Sequence, residues 1–207
     1  MALSGTGSGT DGRRRRGEDT RRALVDAAVG VVTAGGFDAL TLREVAGRAG
    51  VSAASATYHF GTASALLAAV VAELEERAAG RLAALTRRNR AGELTLLDAC
   101  TAYLVDLLGP QRPMFLATLE LRIRVARDPG REDEGEQGAG VVDLIQDHLG
   151  NRERARELYS AVFGVAALGA LAAVPPSEAE LRARMARLLT AAGLPADGSP
   201  TDEDPAS

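Results

Sequence analysis

Hydroxyl, guanidinium and imidazole side chains are concentrated between residues 41 and 62 of this chain. Ser52 and Ser55 carry hydroxyls that can bond to several base edges, and Arg43 carries a guanidinium that can reach a phosphate or a base. Thr41 is placed to begin a helix, where its hydroxyl and the free backbone N–H groups would bind a phosphate. The chemistry predicted for this stretch is therefore hydrogen bonding to a nucleic acid.

Two short helices joined by a tight turn would position these side chains. Thr41 and Glu44 have the spacing of a capping box, which would begin the first helix, and Gly50 makes the turn. Ser52 is placed to cap the second helix, which runs to about residue 59. Small or apolar residues would hold the two helices close together near a right angle: Val45, Ala46, Val51 and Ala56. The pattern predicts a helix-turn-helix.

One helix on each side completes a small N-terminal domain. A helix capped at residue 19 or 20 would come first and end at the Gly35–Gly36 pair. A longer helix from residue 63 to about 88 would follow, with Phe60 packed in the core beside it. The predicted domain spans residues 19–67.

The sequence from residue 41 to 67 reads TLREVAGRAGVSAASATYHFGTASALL. It resembles the N-terminal signature of the tetracycline-repressor (TetR) family, in which a Thr-led helix precedes an A-x-x-A-G-V-S core and an aromatic-His-Phe ending. The resemblance implies a sequence-specific DNA-binding transcriptional regulator, a repressor that a small-molecule effector releases from its operator. It further implies that helix 4 leads into a helical body, residues 68–193, which binds the ligand and forms a homodimer on a near-palindromic site in double-stranded DNA.

The predicted DNA contacts lie in and around the two short helices and ahead of the domain. Tyr58 would reach a phosphate through its hydroxyl, while alanines can contact only a thymine methyl. Ala53 and Ala63 stand where the family often has Lys, so two cationic contacts to phosphates are missing. Each missing contact should reduce the slope of log binding constant against log salt concentration by about 0.9. The predicted contacts are Thr41, Arg43, Ser52, Ala53, Ala54, Ser55, Thr57, Tyr58, His59, Thr62, Arg13, Arg14, Arg15 and Arg16.

The two ends of the chain have compositions typical of disorder. Residues 1–18 are rich in Gly, Ser, Thr and Arg and are predicted to form a disordered basic arm. This arm either follows DNA phosphates and a minor groove or is a solvated tail, and the sequence leaves both open. Residues 194–207 are predicted to be a disordered acidic tail, and residues 128–140 a mobile acidic loop.

The helical body is predicted to hold both the effector and the second subunit. A helix over residues 152–174 is so apolar that its own body or a partner must cover it. Few polar groups converge near the predicted pocket, which favours an apolar or planar ligand. The predicted pocket residues are Cys100, Tyr103, Leu104, Met114, Phe115, Thr118 and Leu119. The predicted dimer interface comprises Leu158, Val162, Val165, Ala166, Gly169, Leu181, Met185 and Leu188.

The overall composition excludes several other classes of protein. No segment alternates with period 2 and only 3% of residues are aromatic, which predicts an all-α fold. Cys100 is the only cysteine, so no disulfide framework or cysteine metal site is expected, and no catalytic constellation or cofactor-binding loop is recognisable. The longest apolar run, residues 161–174, is too short to span a membrane, and the N-terminus lacks a signal-peptide core, which predicts a cytoplasmic protein.

The distribution of charge along the chain supports the same division into an N-terminal DNA-binding head and a helical body. The chain has a net charge of −4, with +2 in residues 1–60 and −8 in residues 92–207. A positively charged N-terminal part suits contact with a polyanion, and a negatively charged C-terminal part suits a helical body that does not contact the polyanion. The alternative function is a helical protein-interaction module with a weakened, non-specific DNA-binding head, because Ala53 and Ala63 supply no cations.

Overall fold

The computed structural model describes residues 8–127 and 138–195, and its regular elements there are all helical. The chain divides into a first unit that ends at Glu75 and a second unit that begins at Glu76. The all-α prediction is confirmed. The helices are α1 (Ser8–Gly35), α2 (Leu42–Ala49), α3 (Ala53–Phe60), α4 (Ala63–Arg90), α5 (Leu96–Leu108), α6 (Arg112–Ala126), α7 (Ala139–Leu149), α8 (Arg152–Leu171) and α9 (Glu178–Ala191), with a 3₁₀ turn at Phe37–Ala39.

The first unit contains α1 to α3 and the beginning of α4. The α1 helix buries Leu24, Ala28 and Val32, which are four residues apart and therefore share one face. The α2 helix packs on α1, and α3 packs on α2. The boundary at Glu75 lies beyond the predicted one at residue 67, and α4 still buries Val70 and Leu74 between these two positions.

The prediction of a disordered arm is wrong for residues 8–18, because α1 begins at Ser8. Extending an existing helix adds a hydrogen bond with each residue and requires no new nucleation, and Arg and Glu are good helix formers. Arg14 Nε also lies 3.7 Å from Glu18 Oε1, one helical turn away. Thr20 is not a cap but donates its hydroxyl to Arg16 O at 2.8 Å. Residues 1–7 lie outside the described part of the chain.

Two capping boxes fix helix starts in the second unit. The Thr95 hydroxyl accepts from Asp98 N and the Asp98 carboxylate accepts from Thr95 N, so α5 begins at Leu96. Ser177 and Glu180 form the same pair of bonds before α9. The unit's apolar core joins residues of α4 to α9, with α7 packed against α8 and α5 against α9.

Within the described residues, the structure shortens the predicted loop over residues 128–140 and the predicted tail over residues 194–207. The α7 helix begins at Ala139, directly after Gly138, whose φ of 71° suits glycine. A Cβ at Gly138 would overlap the ring of Tyr159, so glycine also permits this close approach. Leu194 is buried in the core, and the predicted tail is wrong at that residue. Residues 128–137 and 196–207 lie outside the described residues.

Within the described ranges, no single helix is both long and apolar enough to cross a membrane. The pair formed by α3 and α4, bent by 74° at its break, passes the same test of length and composition.

Candidate functional site

Gly50 builds the turn between α2 and α3. Thr41 caps α2 in an extended conformation, and its Oγ1 accepts from Glu44 N at 3.1 Å, which is the first bond of the predicted capping box. The α2 helix ends at Gly50, whose φ of 68° is a left-handed conformation that glycine adopts without strain. Val51 N donates to Ala46 O at 3.0 Å and closes the turn. The structure therefore confirms the predicted turn between two short helices.

Small buried residues hold α2 and α3 together. Val45, Ala46 and Ala56 are buried, as predicted, and the small alanines allow the two helices to approach closely. Phe60 is also buried, and the Arg21 guanidinium carbon lies 5.1 Å from its ring centroid. Sequence reasoning missed Arg21, because nothing local in the sequence relates α1 to the end of α3. These contacts fix which face of α3 points away from the core.

The outer face of α3 carries hydroxyl groups and small side chains. Ser52 Oγ accepts from Ser55 N at 3.1 Å, and this cap leaves the Ser52 hydroxyl proton for another acceptor. Thr57 Oγ1 instead donates to Ala53 O at 3.0 Å. Tyr58 is 86% exposed, with its ring edge-on to His59 at a centroid separation of 5.3 Å. Tyr58 is therefore the most prominent side chain on this face.

The residues predicted to contact DNA have mixed exposure. Ser55 and His59 are half-buried, and Thr62 Oγ1 accepts from Ala65 N at 3.1 Å, which caps α4. Arg13 to Arg16 lie in α1, where Arg16 Nε donates to Gly12 O at 3.1 Å. Contact with DNA itself remains a prediction for the whole set. The exposed members are Thr41, Arg43, Ser52, Ala53, Ala54, Thr57, Tyr58, Thr62, Arg14, Arg15 and Arg16.

Only some of the residues predicted to line the effector pocket are accessible to solvent. Cys100, Leu104 and Phe115 are buried in the core of the second unit, where burial raises the pKa of the Cys100 thiol to about 12. Thr118 Oγ1 donates to Met114 O at 3.0 Å within α6. The half-buried members are Tyr103, Met114, Thr118 and Leu119. Sequence reasoning therefore mixed core residues with residues that a ligand can reach.

Tyr103 belongs to a group that we call the aromatic–arginine cluster, which draws on four helices of the second unit. The Phe163 ring lies 6.2 Å from that of Phe115, edge to face, and 6.0 Å from that of Tyr159. The Arg122 guanidinium carbon lies 5.2 Å from the Phe163 centroid. The cluster is composed of Arg81, Tyr103, Phe115, Arg122, Tyr159 and Phe163.

Sequence reasoning missed four members of this cluster. Tyr159 and Phe163 are four residues apart in a chain with only seven aromatic residues, and this spacing places them on one helical face. That signal was available in the sequence. The positions of Arg81 and Arg122 depend on how α4 and α6 pack, so no local pattern predicts them.

Several charged groups act on the Tyr103 hydroxyl. Burial and the neighbouring Tyr159 raise the pKa of Tyr103, whereas Arg81 and Arg122 oppose that rise and Asp106 adds to it. Arg81 Nε lies 3.3 Å from Asp106 Oδ2, yet this buried N–H makes no hydrogen bond to any described residue. The cluster therefore combines edge-to-face and tilted aromatic rings with guanidinium groups.

The predicted dimer interface must be corrected. Six of its eight residues are buried in the chain's own second unit, where they form the core and are not available to a partner: Leu158, Val162, Ala166, Gly169, Leu181 and Met185. Val165 and Leu188 are half-buried. Three large apolar residues at and just after the C-terminal end of α8 are exposed, and we call them the α8 apolar face: Leu168 (71%), Leu171 (69%) and Val174 (81%). The predicted residues do follow helical spacing, but the packing of α5, α6, α7 and α9 against α8 determines which of its sides is internal.

A groove of about 500 Å³ lies between α5 and α9 and contains none of the predicted pocket residues. An Asp98–Arg182 ion pair at 2.7 Å crosses it, and this bond together with those from Thr95 lowers the pKa of Asp98. In the described ranges, no group of three or more His, Cys, Asp or Glu side chains is arranged to hold a metal ion.

A hydrogen-bonded pair links the ends of α4 and α7. His148 Nε2 donates to Asn89 Oδ1 at 2.9 Å, since Asn89 Nδ2 already donates to Leu94 O at 3.0 Å. His148 Nδ1 is buried and has no hydrogen-bond partner among the described residues. Burial lowers the pKa of His148, although the neighbouring Asp147 opposes the shift.

We expect acid to lower the stability of the fold, because a proton on Nδ1 would charge the partly buried His148 ring. The folded pKa of His148 is depressed, so the unfolded chain binds a proton more readily, and stability falls as the pH drops below the usual histidine value of about 6.5. Denaturant unfolding between pH 7.5 and 5 should show a smaller loss of stability in His148→Gln than in the wild-type protein. Equal losses in the two proteins would show that His148 does not contribute.

Comparisons with known proteins agree with this geometry. The model of the family described as bacterial regulatory proteins, tetR family, matches residues 24–70, which include α2, α3 and the start of α4. The HTH-type transcriptional regulator CymR of Pseudomonas putida is 31% identical over 118 residues, which is 55% of this chain and 55% of CymR. The chain thus spans about half the length of this curated relative.

Solved structures extend the similarity to most of the chain. A TetR family member from Streptomyces coelicolor matches with a TM-score of 0.68 and 29% identity over 82% of this chain and 97% of its own. The multidrug binding protein EbrR in complex with proflavin matches with a TM-score of 0.62 and 29% identity over 82% of this chain and 99% of its own. The ethidium complex of EbrR gives a TM-score of 0.64 at the same identity, over 82% and 98% of the two chains.

Proposed function

Because this chain belongs to the TetR family of bacterial regulatory proteins, we propose that it is a transcriptional regulator whose helix-turn-helix reads a near-palindromic operator. This proposal rests on the residues that the outer face of α3 exposes. Tyr58 is almost fully exposed there and the Ser52 hydroxyl lies at the start of the helix, while Ala56 and Phe60 are buried in the core. An exposed ring gains little from folding, and its hydroxyl suits a phosphate or a base edge.

We further propose a homodimer that pairs the α8 apolar faces of two copies. Leu168 and Leu171 are one helical turn apart, and Val174 follows just beyond the end of α8. Large exposed apolar side chains grouped on one face favour a protein partner over solvent. A two-fold dimer would present two α3 helices to successive major grooves, which matches an operator with two-fold symmetry.

A small-molecule effector is proposed to bind in the second unit and to lower the affinity for DNA, which makes the protein a repressor. EbrR supports this proposal, because a 29% identical protein of the same fold was crystallised with proflavin, ethidium and malachite green. Linkage requires that an effector which weakens DNA binding is itself bound more weakly in the presence of DNA.

The second candidate function is a helical protein-interaction module. Ala53 and Ala54 support it, because they expose methyl groups at the start of α3 and supply no cation for a phosphate. Such a module would bind DNA through charge alone and without sequence preference.

Selection from random duplex DNA distinguishes the two functions. The regulator is expected to enrich a near-palindromic sequence with half-sites about one helical turn apart or a multiple of it. Failure to enrich any sequence at physiological salt would reject the regulator and favour the interaction module.

A further inference from the structure

We propose that the N-terminal part of α1 is a basic helix that binds DNA phosphates beside the operator half-site. The inference rests on the proposed DNA binding through α3 and adds the source of the positive charge. We call residues 8–22 the α1 extension. Leu24 is the first buried residue described in α1, and the side chains described before it are exposed or half-buried.

The α1 extension carries the net positive charge of the first unit. It contains six arginines and three acidic residues, which gives a net charge of +3. Residues 23–75 contain two arginines, Arg43 and Arg48, and five acidic residues, which gives a net charge of −3. The helix-turn-helix thus lies in a stretch whose net charge repels a polyanion, so the attraction to phosphates must come from the α1 extension.

Ion pairs within the α1 extension do not cancel this charge. Arg14 Nε lies 3.7 Å from Glu18 Oε1, but the two side chains are 75% and 65% exposed. An exposed pair of this kind contributes little to stability, so a phosphate can replace the carboxylate. Even if each of the three acidic residues paired with one arginine, three positive charges would remain.

Side-chain hydrogen bonds support the helix in this segment. The Thr20 hydroxyl donates to Arg16 O at 2.8 Å, and Arg16 Nε donates to Gly12 O at 3.1 Å. Both bonds join residues four positions apart, as do the backbone bonds of an α-helix. The exposed side chains of Arg14, Arg15 and Arg16 are therefore presented from a regular helix.

Arg21 connects the α1 extension to the end of α3. Its guanidinium carbon lies 5.1 Å from the ring centroid of Phe60, the last residue of α3. A helix rises 1.5 Å per residue, so α1 reaches back about 20 Å from this contact to Ser8. DNA carries one phosphate charge per about 1.7 Å of its axis, and a helix of this length beside α3 can therefore contact several phosphates.

A triple variant of the full-length protein tests the proposal: Arg14→Gln, Arg15→Gln and Arg16→Gln combined. Glutamine is also a good helix former, so the variant removes charge and keeps the helix. It is expected to lower the affinity for both the selected duplex and a shuffled duplex by the same factor, at least about tenfold at 150 mM salt, because phosphate contacts carry no sequence information. The slope of log binding constant against log salt concentration should fall by at least about 2.

The matched control removes the same charge from exposed arginines of the second unit: Arg87→Gln, Arg184→Gln and Arg187→Gln combined. It should keep the wild-type affinity and salt slope. Unchanged affinity and slope in the test variant, or an equal loss in the control, would overturn the proposal. A loss confined to the selected duplex would place the arginines on base edges and overturn the assignment to phosphates.

Variants of Gly17 test whether the helix itself is required. A Cβ at Gly17 meets no atom within 4 Å, so Gly17→Ala is accommodated, whereas Gly17→Pro breaks the helix and keeps every arginine. Gly17→Pro is expected to bind both duplexes at least threefold more weakly than Gly17→Ala. Equal affinity of the two variants would show that the arginines act from a flexible arm, which would overturn the helical assignment.

The shuffled duplex separates this inference from the proposed function. If no sequence is selected, sequence-specific regulation fails, and binding of the shuffled duplex by the arginine variants still decides whether the α1 extension contacts phosphates.

Discussion

Replacing Leu168 and Leu171 together by arginine is expected to give a folded monomer whose affinity for the operator is at least about 100-fold lower than that of the wild-type dimer. Both side chains are mostly exposed within one chain, so the substitutions leave its core intact. In a dimer they would bury four charges in an apolar contact, which costs far more than the contact contributes. Each head would then bind its half-site alone, without the effective concentration that a linked head provides.

Sedimentation and duplex binding test this prediction together. Ile123→Arg is the control, because Ile123 is also a mostly exposed apolar residue but lies on α6 and outside the α8 apolar face. It should remain a dimer with unchanged affinity. A double variant that still sediments as a dimer would show that the subunits pair through another surface.

Tyr58→Ala is expected to weaken operator binding by about 30- to 150-fold and to leave the stability of the protein within about 0.5 kcal/mol of wild type. The ring is 86% exposed, so folding does not depend on it. A hydrogen bond from its hydroxyl to DNA is worth about 1 to 1.5 kcal/mol, and the contact occurs twice in a two-fold dimer.

Tyr58→Phe separates the hydroxyl from the ring. It keeps the ring and should lose most of the same affinity, if the hydroxyl makes the contact. Ile123→Ala removes an exposed apolar side chain from the second unit and should alter neither quantity. Thermal unfolding and fluorescence anisotropy with the selected duplex provide the two measurements. Wild-type affinity in Tyr58→Ala would remove α3 from the proposed interface.

The first unit was largely predictable because local signals decide its structure. Gly50 must adopt a left-handed conformation, and Thr41 and Ser52 cap helices through bonds three residues away. Such features depend on neighbours in sequence. The N-terminal arm was mispredicted because composition indicated disorder, whereas α1 begins at Ser8, and lengthening a helix requires no new nucleation.

The second unit was harder to predict because its sites depend on long-range packing. The sequence shows that α8 is apolar on several sides, but only its packing against α5, α6, α7 and α9 determines that Val162 is buried and Leu168 exposed. Arg81 of α4 pairs with Asp106 of α5, and Arg122 of α6 lies over Phe163 of α8, so both contacts join residues far apart in the sequence. Helical periodicity identifies the apolar faces of a helix but does not determine which neighbouring helix packs against each face.

Sequence-specific recognition is tested most directly by the affinity of the full-length protein for the selected duplex, compared at 150 mM salt with its affinity for a shuffled duplex of equal length. A helix-turn-helix that reads base edges predicts a preference of at least about 1,000-fold, and Tyr58→Ala should lower the affinity for the selected duplex more than that for the shuffled one. Equal affinity for both duplexes, falling steeply with salt, would contradict sequence-specific recognition and leave only attraction to phosphates.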